Sequence, residues 1–180
     1  VSRAVLSVGS NLGDRLAFLQ GCVDGLREVL AVSRVYQTAP WGPVEQDDFY
    51  NAVLLVAEDG TGPRGWLDRA RALEAAAGRR REVRWGPRSL DVDVVTVDDV
   101  RSADPELTLP HPRAHERAFV LVPWLEVEPD AVLPAHGAVA DLARRVDRTG
   151  VRPRPDLVLQ RAPRAERAPG ASTGSTGVSG

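Results

Sequence analysis

Leu90-Asp91-Val92-Asp93-Val94-Val95-Thr96-Val97 is the stretch on which the fold turns. Apolar and acidic residues alternate through its first half. In an extended chain Leu90, Val92 and Val94 therefore point to one face, and Asp91 and Asp93 to the other. The stretch reads as a strand, and it completes a series. Residues 4–8 form a mostly apolar run ending at Gly9, which reads as a buried strand. Ser10-Asn11-Leu12-Gly13-Asp14 supplies turn and capping residues. Leu16, Leu19, Val23, Leu26 and Leu30 follow at steps of three and four, predicting a helix over 14–30. Residues 32–37 and 52–57 are β-rich, separated by the irregular Thr38-Ala39-Pro40-Trp41-Gly42-Pro43. Pro63 opens a second helix striped by Trp66, Leu67, Ala70, Leu73 and Ala77 and stopped by Gly78. Strand, helix, strand, strand, helix, strand is the βαββαβ pattern of a ferredoxin-like α+β fold, an antiparallel sheet with helices packed on it in three αβα layers. Further helices are expected around 115–124 and 139–146.

The 180 residues are 43% hydrophobic and 27% charged, as expected of one globular domain with a short extension. The longest apolar run, residues 118–125, is far short of the ~20 residues of a membrane span. No basic-then-apolar leader opens the sequence, and Cys22 has no cysteine to pair with. A cytoplasmic, monomeric protein is the expectation. From Asp147 the chain turns rich in Pro, Arg, Gly and Ser, so residues 147–180 are expected to be a disordered tail beyond a domain at 1–146. That tail carries six Arg against three acids, leaving 17 Arg against 22 acids before it. A body this acidic does not suit nucleic acid. All 23 basic residues are Arg, and no lysine is present, so a Walker-type phosphate loop is excluded.

Asp91 and Asp93 are the strongest anomaly, because Asp is disfavoured in strands and two carboxylates on one face repel. A hard dication such as Mg²⁺ between them resolves the repulsion. Taken alone, a wet edge strand explains the pattern as well. The preceding Arg79-Arg80-Arg81-Glu82-Val83-Arg84-Trp85-Gly86-Pro87-Arg88 shifts the balance. Guanidinium forks match phosphate oxygens, and metal beside clustered Arg is the equipment of phosphoryl transfer. Trp41, Gln46, Phe49, Tyr50 and Asn51 form an aromatic and amide cluster suited to a flat heterocycle, though Phe49 and Tyr50 fit a core equally well. His111 and His115 lack further nearby ligands, so zinc is not expected; His136 reads as a surface turn residue.

Ser10-Asn11-Leu12-Gly13-Asp14, the segments 38–43 and 46–51, Arg84-Trp85-Gly86-Pro87-Arg88-Ser89-Leu90-Asp91-Val92-Asp93 and Pro110-His111-Pro112-Arg113-Ala114-His115-Glu116-Arg117-Ala118-Phe119 together resemble the 6-hydroxymethyl-7,8-dihydropterin pyrophosphokinases of folate biosynthesis. The resemblance runs over residues 1–146. It implies transfer of a pyrophosphoryl group from ATP to the pterin hydroxymethyl, releasing AMP. It implies that Asp91 and Asp93 hold two Mg²⁺ ions. Thr38, Pro40, Gly42, Phe49, Asn51 and Phe119 would surround the pterin. Glu74, Arg79, Arg81, Trp85, Arg88, Thr108, His111 and Arg117 would surround the nucleotide, with Arg79 and Arg88 stabilising the transferring charge. The partners are then small molecules, with no nucleic acid and no membrane. Ala39, Asp47 and Phe49 depart from residues common in the family without removing a metal ligand or a phosphate-facing Arg. A palm-type nucleotidyl transferase also pairs strand carboxylates on this fold, but releases inorganic pyrophosphate. An RNA-binding relative would want aromatics along central strands, which residues 4–8 and 90–97 lack.

Overall fold

A computed structural model describes residues 1–40, 42–78 and 89–162. In chain order these form β1 (Ser2–Ser10), α1 (Arg15–Gly25), β2 (Val29–Val32), β3 (Tyr36–Thr38), β4 (Phe49–Glu58), α2 (Pro63–Ala76) and β5 (Asp91–Val97). There follow β6 (Ser102–Asp104), β7 (Leu107–Leu109), a 3-10 turn (Ala114–Glu116), α3 (Ala118–Val127), β8 (Val132–Leu133), β9 (Gly137–Ala138), α4 (Val139–Arg145) and β10 (Val151–Pro153). The main sheet runs β10-β3-β4-β1-β5, with β2 also on β4, and all its pairings are antiparallel. With β2 and β3 taken as one interrupted strand, the βαββαβ core is present as expected. Ser33 makes the interruption: its N–H donates to the Val53 carbonyl, and its hydroxyl accepts from the Val53 N–H.

The sheet is covered on both faces, which is why its central strands read as unbroken apolar runs. On one face Leu6, Val8, Leu54, Val56, Val92 and Val94 pack against Leu19, Cys22 and Val23 of α1 and Trp66 and Ala70 of α2. On the other, Val5, Val53, Leu55 and Val95 pack against Val120, Leu121 and Trp124 of α3 and Val139 and Ala143 of α4. Burial pushes the Cys22 thiol up to about 12, so it is a core group and no nucleophile.

Two sequence expectations change. The first helix starts as expected, with the Asp14 carboxylate capping the Ala17 N–H, but stops at Gly25 because Leu26 is already extended. Leu30 continued the stripe only by coincidence of spacing. It lies in β2 and packs against the α3 face, whereas Leu26 belongs to the α1 face.

The second change concerns the tail. Residues 151–162 dock on the body, so they are no solvated extension. β10 pairs with β3, setting Val151 opposite Thr38 and Pro153 opposite Tyr36. An outermost strand tolerates Pro, whose missing N–H is not needed there. Leu157 and Leu159 then pack against the α1-side core, and Gln160 exchanges hydrogen bonds with Gln20. Arg161 donates to the Val29 and Leu30 carbonyls. Residues 163–180, the rest of the expected tail, lie outside the described residues. Removing everything after Thr149 is therefore expected to lower the melting temperature by roughly 4–8 °C, the equivalent of two half-buried leucines in a domain of this size. Differential scanning calorimetry on the truncated chain checks this; an unchanged melting temperature would show that the docking adds nothing.

Candidate active site

The site lies where one sheet face runs out of helical cover. Along β1 that face reads Val5, Ser7, Gly9; along β5 it reads Val95, Asp93, Asp91; along β4, Leu55, Val53, Asn51, Phe49. Each strand changes from an apolar residue under α3 to polar or small residues beyond it. The register aligns the change: Asn51 pairs with Gly9, which pairs with Asp91, and Ser7 pairs with Asp93. Thr38 joins from β3 opposite Phe49. The result is a cleft of about 150 Å³, lined by these side chains and by Arg117 and Phe119 at the start of α3.

Its two sides differ in chemistry. On the β3–β4 side the Asn51 amide donates to the Thr38 hydroxyl at 2.6 Å, both groups being buried. The ring of Phe49 offers a flat apolar surface next to them, and that of Phe119 enters from α3. Gly9 is required here: a methyl group on its α-carbon would come within 2.5 Å of Asn51 Oδ1. Gly9→Ala is therefore expected to displace Asn51 and weaken binding of a ligand on this side by roughly tenfold, the cost of one disturbed buried hydrogen-bonding group. Equilibrium binding of flat heterocyclic ligands checks it, with unchanged affinity as the contrary result.

On the β5 side Asp91 and Asp93 share the face. The Asp93 carboxyl is pushed up to about 6, first by burial and then by the Asp91 charge, with Arg117 opposing. Arg117 Nη1 donates to Asp93 Oδ2 at 3.0 Å, and its guanidinium lies 5.5 Å from the Phe119 ring centre. Arg117 thus stands at the junction of the two sides. His111 Nε2 is 3.7 Å from the same Asp93 oxygen. Burial, and then the Arg117 charge, pull the imidazole down to about 4, so it is neutral at pH 7. Its Nδ1 accepts from the Arg113 N–H, which leaves the proton on Nε2, facing the carboxylate.

Of the sequence-predicted residues, Thr38, Phe49, Asn51, Asp91, Asp93, Arg117 and Phe119 come together in the cleft. Glu74 does not line it. It lies on α2 behind β5, where its carboxylate accepts from the Val92 N–H between the two aspartates. Thr108 is on the β6–β7 hairpin and donates to the Asp104 carbonyl. Pro40 and Gly42 sit in the loop after β3 without lining the cleft, Gly42 taking a left-handed conformation at φ 96°. Arg79, Arg81, Trp85 and Arg88, and Trp41, lie outside the described residues. Tyr50 leaves the expected aromatic cluster: being next to Phe49 on a strand, it faces α1, under the Arg15 guanidinium at 3.9 Å. His136 lies exposed in a turn, as expected, and its ring stacks on that of His115 at 4.1 Å. Gln46 of the aromatic and amide cluster and Ala39 of the loop after β3 also line the cleft, and Ser7, Gly9, Arg113 and Glu116 line it unforeseen. Gly9 carried a readable signal, a glycine closing a buried strand. The others are placed only by register and by the 3-10 turn.

Comparison with known proteins identifies the family. Residues 5–129 match the profile of 7,8-dihydro-6-hydroxymethylpterin-pyrophosphokinase (HPPK). A 2-amino-4-hydroxy-6-hydroxymethyldihydropteridine pyrophosphokinase of Mycobacterium leprae is 53% identical over 82% of this chain and 81% of its own. That of Mycobacterium tuberculosis strain H37Rv is 46% identical over 94% of this chain and 99% of its own. A crystal structure of Plasmodium falciparum HPPK-DHPS with pteroate shares the fold at 14% identity, with a TM-score of 0.64 over 80% of this chain. This chain spans only 42% of that longer protein. Among the described residues no helix is long and apolar enough to cross a membrane. With the profile matched over most of its length and the strand carboxylates, amide and aromatic faces converging in one cleft, the chain belongs to the 7,8-dihydro-6-hydroxymethylpterin-pyrophosphokinase family.

Proposed function

We propose that the two sides of the cleft divide the two substrates of the reaction this enzyme performs in folate biosynthesis, pyrophosphoryl transfer from ATP to the hydroxymethyl group of 6-hydroxymethyl-7,8-dihydropterin with release of AMP. The carrying observation is the row Asn51, Gly9, Asp91, which sets an amide-and-aromatic wall beside a carboxylate wall on one sheet face. Phe49 and Phe119 stack on the pterin, and the paired Thr38 and Asn51 read its polar edge. Pro40 and Gly42 flank it from the loop after β3.

Asp91 and Asp93 hold the divalent cations on the nucleotide side. The donor set fits Mg²⁺: hard carboxylate oxygens on a rigid strand, with no group of three or more His, Cys, Asp or Glu side chains among the described residues to complete a cage. The remaining positions then fall to water and phosphate oxygens, the coordination Mg²⁺ favours. When bound, the cations neutralise phosphate charge and polarise the phosphorus under attack. Arg117 holds Asp93 in place. Neutral His111 presents its Nε2–H to the same Asp93 carboxylate. Glu74 fixes the backbone between the two aspartates, and Thr108 and the Arg-rich 79–88 segment complete the nucleotide side. That segment joins α2 to β5 and so enters the chain just before Asp91. The hydroxymethyl oxygen attacks the β-phosphorus in line, and AMP leaves from the far side.

Phosphorus NMR of the enzyme with ATP, Mg²⁺ and the reduced hydroxymethylpterin tests this reading. AMP and a pterin pyrophosphate ester are expected in equal amounts, with no turnover when a chelator removes the metal. Undiminished turnover with chelator would overturn the metal assignment.

A further inference from the structure

We propose that Arg154, in the docked C-terminal segment, is a positioning residue for the pterin side of the site, acting from the opposite sheet face through Gln37. This rests on assigning the Thr38–Phe49–Asn51 side of the cleft to the pterin. β10 ends at Pro153, and the next N–H, that of Arg154, donates to the Val35 carbonyl at 2.8 Å. The Arg154 side chain is thereby delivered beside β3. Its Nη1 donates to Gln37 Oε1 at 2.7 Å, and Asp156 receives the other edge of the guanidinium at 2.7 and 2.9 Å.

The consequence lies in what Gln37 does next. With its carbonyl oxygen committed to Arg154, its amide nitrogen faces Asp48 and donates to Asp48 Oδ2 at 2.8 Å. The opposite orientation would set two acceptors against each other at Asp48 and two donors at Arg154, so Arg154 selects the amide orientation. Asp48 is the last residue before β4, and its carbonyl also accepts from Arg15 Nη1 at 2.9 Å. Arg15 and Arg154 both lie against Tyr50, at 3.9 and 5.6 Å from the ring centre. Gln37 precedes Thr38, Asp48 precedes Phe49, and Tyr50 lies between Phe49 and Asn51. Thr38, Phe49 and Asn51 therefore each have a chain neighbour held in this network. Arg152, 3.9 Å from Asp48, adds a further charge to the same anchor.

A network that sets backbone positions beneath a binding wall affects ligand placement on that wall first, and a displacement of about 1 Å is enough to matter. Arg154→Ala is expected to raise the Kd and KM for the pterin about fivefold to tenfold while leaving the KM for ATP within about twofold. Gln37→Glu keeps a partner for Arg154 but removes the donor to Asp48, and it is expected to reproduce the pterin effect in a fully folded protein. Phe49→Ala is the control for the wall itself. Pterin binding by calorimetry and steady-state kinetics on the three variants decide it. Weakened pterin binding in all three, with ATP unaffected, supports the proposal. Normal pterin binding in Arg154→Ala or Gln37→Glu, with a loss in Phe49→Ala, overturns it and leaves the wall assignment standing. Equal losses for pterin and ATP in Arg154→Ala would reduce Arg154 to general structural support and overturn it too. An unaffected Phe49→Ala would remove the wall assignment and the proposal with it.

Discussion

Asp93→Asn is expected to lower turnover by roughly 10²–10³-fold, the range that follows loss of a preorganised group stabilising transition-state charge. The same substitution is expected to make the metal-free protein more stable at neutral pH. The sign follows from the raised carboxyl. Its ordinary value of 3.8 rises to about 6 in the folded chain, through burial first and the Asp91 charge next. Between those values the folded state holds the proton more firmly than the unfolded chain, so stability falls as pH rises through that window. Asparagine carries no charge to bury. At about pH 7.5 the metal-free variant is expected to melt roughly 6–12 °C higher than the parent, equivalent to about 3 kcal/mol, and the difference should vanish below about pH 4. Thermal melts with chelator at the two pH values, beside kinetics with Mg²⁺, separate the two effects. A variant that is inactive and also less stable at neutral pH would mark Asp93 as a structural carboxylate.

Arg88→Ala is expected to cut kcat by roughly 10²-fold or more while changing ATP affinity only a few-fold. Arg88 comes three residues before Asp91 in a segment that ends at the strand carrying the carboxylates. On the proposed reading, its guanidinium fork would meet phosphate oxygens whose charge redistributes as the β-phosphorus is attacked. An interaction that strengthens in the transition state shows in kcat, whereas uniform binding shows in KM. On the proposed reading, ground-state ATP would still be held by the metal ions and by Arg117. Pre-steady-state kinetics with direct ATP binding measures the split. Loss of affinity in proportion to lost turnover would make Arg88 a simple binding residue.

The core was legible because both of its signals are local. Alternation in residues 90–97 and the leucine spacing after Asp14 each follow from the geometry of a single element. The cleft was legible where chemistry is costly to keep without a use, as with paired carboxylates on a strand. What escaped depends on partners distant in sequence. Gly9 matters because the register sets Asn51 opposite it. Tyr50 left the aromatic cluster because β4 turns it toward Arg15. The stretch 151–162 looked like tail because its composition is poor in apolar residues. Its docking uses backbone pairing to an edge strand, an arginine fork and two leucines, none of which announces itself without β3 and α1 in place. The leucine at position 30 shows the opposite error, a residue that fitted a helical stripe but belongs to a strand on the other side of the sheet.

The central claim is that Asp91 and Asp93 form the cation-holding wall of the cleft. Manganese can replace Mg²⁺ as a probe read by electron paramagnetic resonance, in the presence of an ATP analogue with a methylene bridge between its α- and β-phosphorus atoms. The parent chain is predicted to take up two Mn²⁺ per molecule. Asp93→Asn is predicted to lose at least one of them or to bind it about tenfold or more weakly, as loss of a charged ligand demands. Two ions bound with unchanged affinity in the variant would contradict the account.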